Sequence, residues 1–334
     1  MNFFLKIWLW FFFLTYSLFT YATIITPRPM PLSLATINEQ ADMLNEKLAS
    51  WSVSLSARTR WYTPVFYVED FPRYFGGGTG DTLMLDDWNQ IDPTETILLP
   101  KSVIEIQKII RKNTHTILQI TSKEYPYDSD SHYVDARFVQ IYDTVDIVPS
   151  RSIKLPSRSQ VLGKLESQVG KPYIWWGNSP NGIPAIANFY PTKKSLDTET
   201  RAKWTLDGFD CSGILYWATD GYTPRNTSKL ISFGSGVNIA GKTIAEIIAI
   251  VKPLDIIVWK GHNMIVIGGG QILESTVNFT GTGEYSTPNG VRIRSLESAL
   301  TEITTTKNRI WINDYTDVVP DGKKKFVIRR WYQK

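Results

Sequence analysis

The chain has 334 residues, enough for two domains, and it is 43% hydrophobic and 20% charged, which excludes a disordered or fibrous protein. Positive side chains exceed negative ones by only four and form no dense stripe, so we expect no nucleic-acid partner. The basic run within 323–330 is better explained as a solvated strand end. Composition therefore predicts a globular protein with a core of its own.

Few side chains can serve catalysis or metal binding. Cys211 is the only cysteine, and the only histidines are His115, His132 and His262. One cysteine cannot form an intrachain disulfide or a Cys-based metal cage. We therefore expect no metal and no organic cofactor, and a mechanism that needs histidine has three candidates.

The first 22 residues have the layout of a secretory signal peptide. Lys6 precedes an apolar run from Ile7 to Leu14, and small residues stand at Thr20 and Ala22 before a cleavage site. An uncleaved anchor is the alternative, but residues 7–22 as a helix would reach only ~24 Å, short of a ~30 Å hydrocarbon core. We expect cleavage, export to the periplasm, cell wall or extracellular space, and no stable membrane span afterwards.

Two segments follow the predicted signal peptide. Residues 23–35 are rich in Pro, Thr and Ser and are predicted to be a linker. Residues 36–150 are predicted to form a mixed α+β N-terminal module. Helices are predicted over 36–51 and 102–111, and strands over 116–121 and 137–142. The role of the module stays open: a wall-targeting, SH3-like barrel is one option, although two helices do not fit a pure barrel.

From residue 155 the pattern changes to helices that are followed by closely spaced strands. Helices are expected over 159–169, from Cys211 onwards and over 243–251, the last with Glu246 as the capping partner of Thr243. Strands are predicted over 255–259, 264–267, 272–276, 291–294, 309–312 and 326–330. Residues 155–334 are therefore predicted to be an α+β domain with an antiparallel sheet. The oligomeric state is not indicated by the sequence.

The segment Gly208–Ala218 gives the strongest indication of chemistry. Asp210 is a favoured helix N-cap residue, which puts Cys211 at the start of a helix. The helix dipole lowers the pKa of a thiol there, so Cys211 is a candidate nucleophile. The small residues Ser212 and Gly213 would let a substrate approach. A buried, inert cysteine is the alternative.

A thiol nucleophile needs a base, and His262 is the best placed histidine. It precedes an apolar strand that turns back at Gly268–Gly270. A hairpin centred on Gly269 would make His262 and Glu274 near neighbours across two strands. Glu274 stands among apolar residues, where a carboxylate needs a partner, so we predict that it orients His262. A solvent-facing Glu on an edge strand is the alternative.

Taken together, these motifs resemble those of the NlpC/P60 family of bacterial cell-wall cysteine peptidases. The segment FDCSG contains Cys211, and a Gly-His pair follows it before an apolar strand. Residues 170–177 (GKPYIWWG), 224–228 (PRNTS) and 252–257 (KPLDII) are similar to further family segments. The resemblance covers about 157–280, and as a set its motifs are specific.

The resemblance implies a papain-like core, in which the helix carrying the Cys packs on an antiparallel sheet carrying the His. It also implies hydrolysis of peptidoglycan stem peptides, typically between D-Glu and a diamino acid. Cys211 would be the nucleophile, His262 the base and Glu274 the orienting group.

Further contacts with the substrate are implied by the same resemblance. Tyr173 would line the site and help to hold the substrate or the oxyanion. Asp210 and Ser212 would contact the amino terminus of the substrate.

The chain departs from the family pattern at three places, one of which is the segment Pro253-Leu254-Asp255, where the Gly of the family is missing. Glu274 stands where the family usually has His, Asn or Gln, so it would form an ion pair with an imidazolium. The stretch 178–206 is longer than usual, and it is either a lid or rim that changes specificity or a passive surface loop. Two other functions stay open: a cysteine amidase or acyltransferase that acts on a non-wall amide, and a non-catalytic wall-binding protein.

Overall fold

The computed structural model describes residues 31–50, 55–76, 82–125, 131–142, 149–277 and 289–333. The predicted signal peptide and most of the predicted linker lie outside these residues. Within the described ranges, no helix is long and apolar enough to cross a membrane.

The described residues of the N-terminal part form two α-helices and an antiparallel seven-stranded sheet. The helices are α1 (Leu34–Glu39) and α2 (Ala41–Ala49). The strands are β1 (Leu55–Thr59), β2 (Thr63–Phe66), β3 (Thr94–Leu98), β4 (Val103–Arg111), β5 (Thr116–Thr121), β6 (His132–Asp135) and β7 (Val139–Tyr142). Their order in the sheet is β3-β2-β6-β5-β4-β1-β7. The first helix starts before Thr36 because the side chain of Ser33 caps it by accepting the N–H of Thr36.

The predicted helix over 102–111 is wrong, because β4 is a strand that pairs with β1 and β5. Ile104 and Ile106 are buried at alternate positions, and a register shift between Ile106 and Lys108 then moves the next buried position to Ile109. The shift gives Ile106 and Ile109 a spacing of three, which imitates a helix in the sequence. The predicted strand over 116–121 is confirmed as β5.

Among the described residues, the C-terminal part adds seven helices, a second large sheet and a separate sheet of two short strands. The helices are α3 (Arg158–Glu166), α4 (Pro184–Phe189), α5 (Thr198–Trp204), α6 (Gly213–Ala218), α7 (Thr227–Leu230), α8 (Ile244–Ile250) and α9 (Leu296–Thr305). The strands are β8 (Asn178–Ser179), β9 (Gly208–Phe209), β10 (Ser235–Gly236), β11 (Ile256–Trp259), β12 (His262–Gly268), β13 (Gln271–Thr276), β14 (Gly290–Ser295), β15 (Arg309–Trp311) and β16 (Lys324–Arg330). All six strands that the sequence predicts in this part are confirmed, and α8 has its predicted capping box between Thr243 and Glu246.

The second sheet is covered by helices on both faces. Its antiparallel strands run in the order β10-β16-β11-β12-β13-β14, and β15 joins β16 in parallel. Leu215 of α6 packs with Ile265 of β12 on one face, and Leu300 of α9 packs with Met264 on the other. Neighbouring side chains of a strand point to opposite faces, so β12 separates two cores. The chain is therefore an α+β protein with antiparallel sheets, as predicted.

The stretch 178–206, which the sequence leaves open as a lid or a loop, packs against the N-terminal sheet. Ile186 of α4 and Trp204 of α5 are buried in the same core as Ile97 of β3. Asn178 Nδ2 also donates a hydrogen bond to the carbonyl oxygen of Ile97 (2.8 Å). This stretch therefore fastens the two sheets to one another.

Candidate functional site

A buried ion pair holds the turn that contains Cys211. Asp210 Oδ1 accepts the backbone N–H groups of Ser212 (2.9 Å) and Gly213 (2.6 Å), although α6 itself begins only at Gly213. Arg225 donates to both carboxylate oxygens of Asp210, at 3.0 and 2.7 Å, and both side chains are buried. Asp210 therefore holds the turn before α6, but the predicted helix start at Cys211 is wrong, because α6 begins at Gly213 with Ser212 as its N-cap.

Gly213 is small because two stretches of backbone meet there. A Cβ atom on this residue would lie 2.0 Å from the carbonyl oxygen of Gly177, which no side chain can tolerate. The structure therefore gives this glycine a packing role, where the sequence suggested room for a substrate.

The Cys211 thiol is buried. It is 8% exposed, and its Sγ lies 4.0 Å from the carbonyl oxygen of Gly261. Burial, and then the charge of Asp210, raise the pKa of Cys211 to about 12, although the N–H of Asn263 and the charge of Arg225 act in the opposite direction. The predicted lowering of the thiol pKa is wrong, because desolvation outweighs the dipole of a six-residue helix.

His262 begins β12, and Glu274 of β13 holds its ring. The distance from His262 Nε2 to Glu274 Oε2 is 3.0 Å. The β12–β13 ladder pairs Ile265 with Leu273 about a turn centred on Gly269, so the predicted proximity of His262 and Glu274 is confirmed. Because the carboxylate engages Nε2, Nδ1 is the nitrogen left to act on a reacting group.

Glu274 is buried and is surrounded by positive charge. Its second oxygen, Oε1, accepts a hydrogen bond from Arg292 Nε (3.0 Å) and lies 2.8 Å from Arg294 Nε. Burial alone would raise the pKa of Glu274, but the hydrogen bond and charge of His262 and the charges of Arg294 and Arg292 lower it to about 2. The alternative of a solvent-facing Glu is therefore wrong, since this side chain is ionised and only 2% of the residue is exposed.

Neither arginine was predicted from the sequence as a site residue. They stand two positions apart on β14, and the β13–β14 ladder places Arg292 directly opposite Glu274. Two basic residues at alternate positions, on the strand next to a lone acidic one, were the available signal. Arg294 also binds Glu302 of α9 (2.6 Å), which extends the charge network away from the site.

The three predicted substrate contacts have different surroundings. Tyr173 lines the pocket that opens onto His262. Ser212 is buried with Asp210, and its Oγ accepts a hydrogen bond from Arg225 (2.6 Å). Contact of Asp210 or Ser212 with a substrate amino terminus stays a prediction, because both side chains already have partners within the protein.

A pocket of about 580 Å³ lies in front of His262, and both parts of the chain contribute to it. The N-terminal part supplies Asp86, Trp88, Gln90 and Asp92, and the C-terminal part supplies Tyr173, Trp175, Trp259, Gly261, His262, Thr276, Val277, Lys307 and Arg309. The N–H of Trp175 donates to Gln90 Oε1 (2.9 Å), which joins the two walls. Among the described residues, no group of three or more His, Cys, Asp or Glu side chains is placed to hold a metal ion.

No family model matches the sequence, and no curated protein matches it. Three similar solved structures are NlpC/P60 proteins, the family that the Cys and His motifs resemble. An NlpC/P60 family protein from Bacillus cereus is 13% identical, with 86% of this chain and 66% of that chain covered and a TM-score of 0.30. This chain thus spans just under two thirds of the length of the Bacillus protein.

The other two structures come from a bacterium and a protozoan. RipD from Mycobacterium tuberculosis is described as a non-catalytic NlpC/p60 domain protein adapted to peptidoglycan binding. It is 16% identical, with 54% of this chain and 98% of that chain covered and a TM-score of 0.28. NlpC1 from Trichomonas vaginalis is 10% identical, with 84% of this chain and 94% of that chain covered and a TM-score of 0.34.

Proposed function

We propose that the protein is a cysteine endopeptidase with a papain-like core that hydrolyses peptidoglycan stem peptides, at the bond between D-Glu and a diamino acid. The observation that carries the proposal is the contact of His262 with the buried carboxylate of Glu274, at the mouth of a pocket and next to the turn of the sole cysteine. The motifs around Cys211 and His262 supply the substrate class by resemblance.

The reaction is an acyl transfer. His262 Nδ1 takes the thiol proton as Cys211 Sγ attacks the amide carbonyl carbon, and the imidazolium then gives that proton to the leaving amine as the C–N bond breaks. Water, activated by the same nitrogen, releases the acyl group from the sulfur. The backbone N–H of Cys211 and the hydroxyl of Tyr173 hold the oxyanion.

The raised pKa of Cys211 favours a resting thiol that keeps its proton. A thiol with a pKa of about 12 keeps its proton until a base removes it. Arg292 and Arg294 bind the same carboxylate and offset its negative charge, so the role of Glu274 is to orient the imidazole. His262 therefore acts as a general base during the attack.

The test is digestion of purified peptidoglycan fragments, followed by mass spectrometry of the muropeptides. The wild-type protein should cut stem peptides between D-Glu and the diamino acid, and the Cys211→Ala variant should leave them intact. Cleavage of a different amide would favour the amidase or acyltransferase reading. Equal cleavage by the Cys211→Ala variant would exclude a cysteine mechanism.

A non-catalytic wall-binding protein is the second candidate, and the buried thiol is the observation that favours it. Its Sγ faces the carbonyl oxygen of Gly261 and has a raised pKa, as an inert cysteine would. Sedimentation with insoluble peptidoglycan separates the two functions. Retention of the wild-type protein on the wall without any cleavage product would support binding alone.

We also propose that the protein is exported and is cut after Ala22. N-terminal sequencing of the secreted form should begin at Thr23. An intact N-terminus in the membrane fraction would support the anchor instead.

A further inference from the structure

Two cations on the pocket wall have no part in the proposed reaction. Lys307 follows α9 and Arg309 begins β15, and both line the pocket with His262. They lie beyond residues 157–280, so the family resemblance assigns them no role.

An indole ring holds both cations close to the candidate base. Lys307 Nζ lies 5.9 Å from the ring centroid of Trp259, and Arg309 Cζ lies 4.7 Å from it. The same indole is 5.2 Å from the imidazole of His262, measured between ring centroids. Cation–π contacts therefore hold two positive charges against the indole ring that also contacts His262, the candidate base.

These charges have little compensation from the protein. Arg309 Nη1 donates to the carbonyl oxygen of Lys325 (3.2 Å), whereas its buried Nε has no acceptor, and no carboxylate of the described residues forms an ion pair with it. Lys307 Nζ is 3.4 Å from Glu302 Oε1, and the other oxygen of that carboxylate binds Arg294 at 2.6 Å, so Lys307 shares its only anionic partner among the described residues. Burial lowers the pKa of Arg309, which reflects the cost of an unpaired charge. Partly buried cations normally have a partner, so Arg309 leaves this wall with an uncompensated positive charge.

We propose that Lys307 and Arg309, seated on Trp259, form a subsite for a carboxylate group of the ligand. The N-terminal wall of the same pocket carries Asp86 and Asp92, which repel an anion. A ligand with one free carboxylate is therefore turned so that this group lies on the Trp259 side. That the ligand is a stem peptide rests on the proposed function, whereas the preference for a carboxylate does not.

The first experiment measures the binding of peptides to the Cys211→Ala variant by calorimetry. The probe is L-Ala-γ-D-Glu-L-Lys, with the D-Glu α-carboxyl and the C-terminal carboxyl free or amidated in all four combinations. Amidation of the carboxylate that occupies the subsite should weaken binding about tenfold, the effect of one charge-assisted hydrogen bond. Adding Lys307→Gln or Arg309→Gln should abolish that difference. Lys108→Gln, an exposed change on the N-terminal sheet, should preserve it.

A second experiment uses glutarate and the wild-type background. Glutarate should bind the wild-type protein, bind Lys307→Gln and Arg309→Gln about tenfold more weakly, and lose affinity as salt rises. If glutarate and all four peptides bind the Gln variants as tightly as the parent proteins, the subsite does not exist. If the Gln variants weaken glutarate binding but the wild-type protein cuts no stem peptide, the subsite stands and the proposed peptidase function fails. If the rate of hydrolysis changes neither when the peptide is amidated nor in the Gln variants, the subsite is wrong and the proposed peptidase function stands.

Discussion

The two sides of the candidate site each contain a buried carboxylate bound to arginine, yet the carboxylates do different work. On the Cys side, Asp210 uses one oxygen for two backbone N–H groups, and Arg225 binds both of its oxygens. On the His side, Glu274 keeps one oxygen for His262 and gives the other to arginine. Asp210 therefore shapes the backbone, and Glu274 positions a side chain.

The negative charges of Asp210 and Glu274 act on different groups. The charge of Asp210 contributes to the raised pKa of Cys211 and so keeps the thiol protonated. Glu274 contacts the ring of His262 directly, but two arginines offset its charge. A carboxylate bound to arginine thus holds the backbone on one side and positions the candidate base on the other.

Removal of the candidate nucleophile should reduce activity more than any other change. Cys211→Ser should reduce hydrolysis of stem peptides by about a thousandfold or more, because a hydroxyl is far less acidic than a thiol. Product formation over time, together with a circular dichroism spectrum that matches wild type, measures this. Substantial activity in the Ser variant would remove Cys211 from the mechanism.

The reactivity of the thiol tests the Cys side next. With its pKa raised from 9.0 to about 12, Cys211 should have about a thousandfold less thiolate at neutral pH than an ordinary cysteine. Alkylation by iodoacetamide should therefore be slow in the native protein and fast after denaturation. Rapid native labelling at about pH 7 would mean that the thiolate is already formed.

The ion pair on the Cys side should matter mainly for stability. Asp210→Asn leaves the buried guanidinium of Arg225 without a negatively charged partner, which should lower the free energy of unfolding by about 3–5 kcal/mol. Asp42→Asn is the matched control, since the ion pair of Asp42 with Arg111 (2.6 Å) is exposed and should contribute less than about 1 kcal/mol. Urea denaturation compares the two variants. Equal stability losses would show that burial of Asp210 has no particular importance.

The carboxylate on the His side should matter for rate. Glu274→Gln keeps a hydrogen-bond acceptor for His262 but loses the charge, so kcat/KM should fall about 10–100-fold. Glu274→Ala should be slower still, because the imidazole then has no orienting group. If Glu274→Ala hydrolyses stem peptides at the wild-type rate, Glu274 does not orient the base.

The sequence alone determined the elements that depend on nearby residues. The capping box of Thr243 with Glu246 and the hairpin about Gly269 each follow from groups a few residues apart, and both were predicted. The hairpin was the decisive case, because a turn position fixes which side chains meet across it. From the position of the turn alone, Glu274 could be predicted as the cross-strand neighbour of His262.

Tertiary structure decided what depends on distant parts of the chain. The register shift after Ile106 made a strand look like a helix, because only pairing with neighbouring strands reveals a bulge. The sequence predicts a lowered pKa for the Cys211 thiol, but burial raises it. No local motif encodes that burial. The arginines beside Glu274 and the pocket wall that carries Trp88 come from other strands and from the other part of the chain. Local hydrogen bonds and periodicity can be read along a chain, whereas desolvation and long-range charge pairing exist only once the sheets have packed.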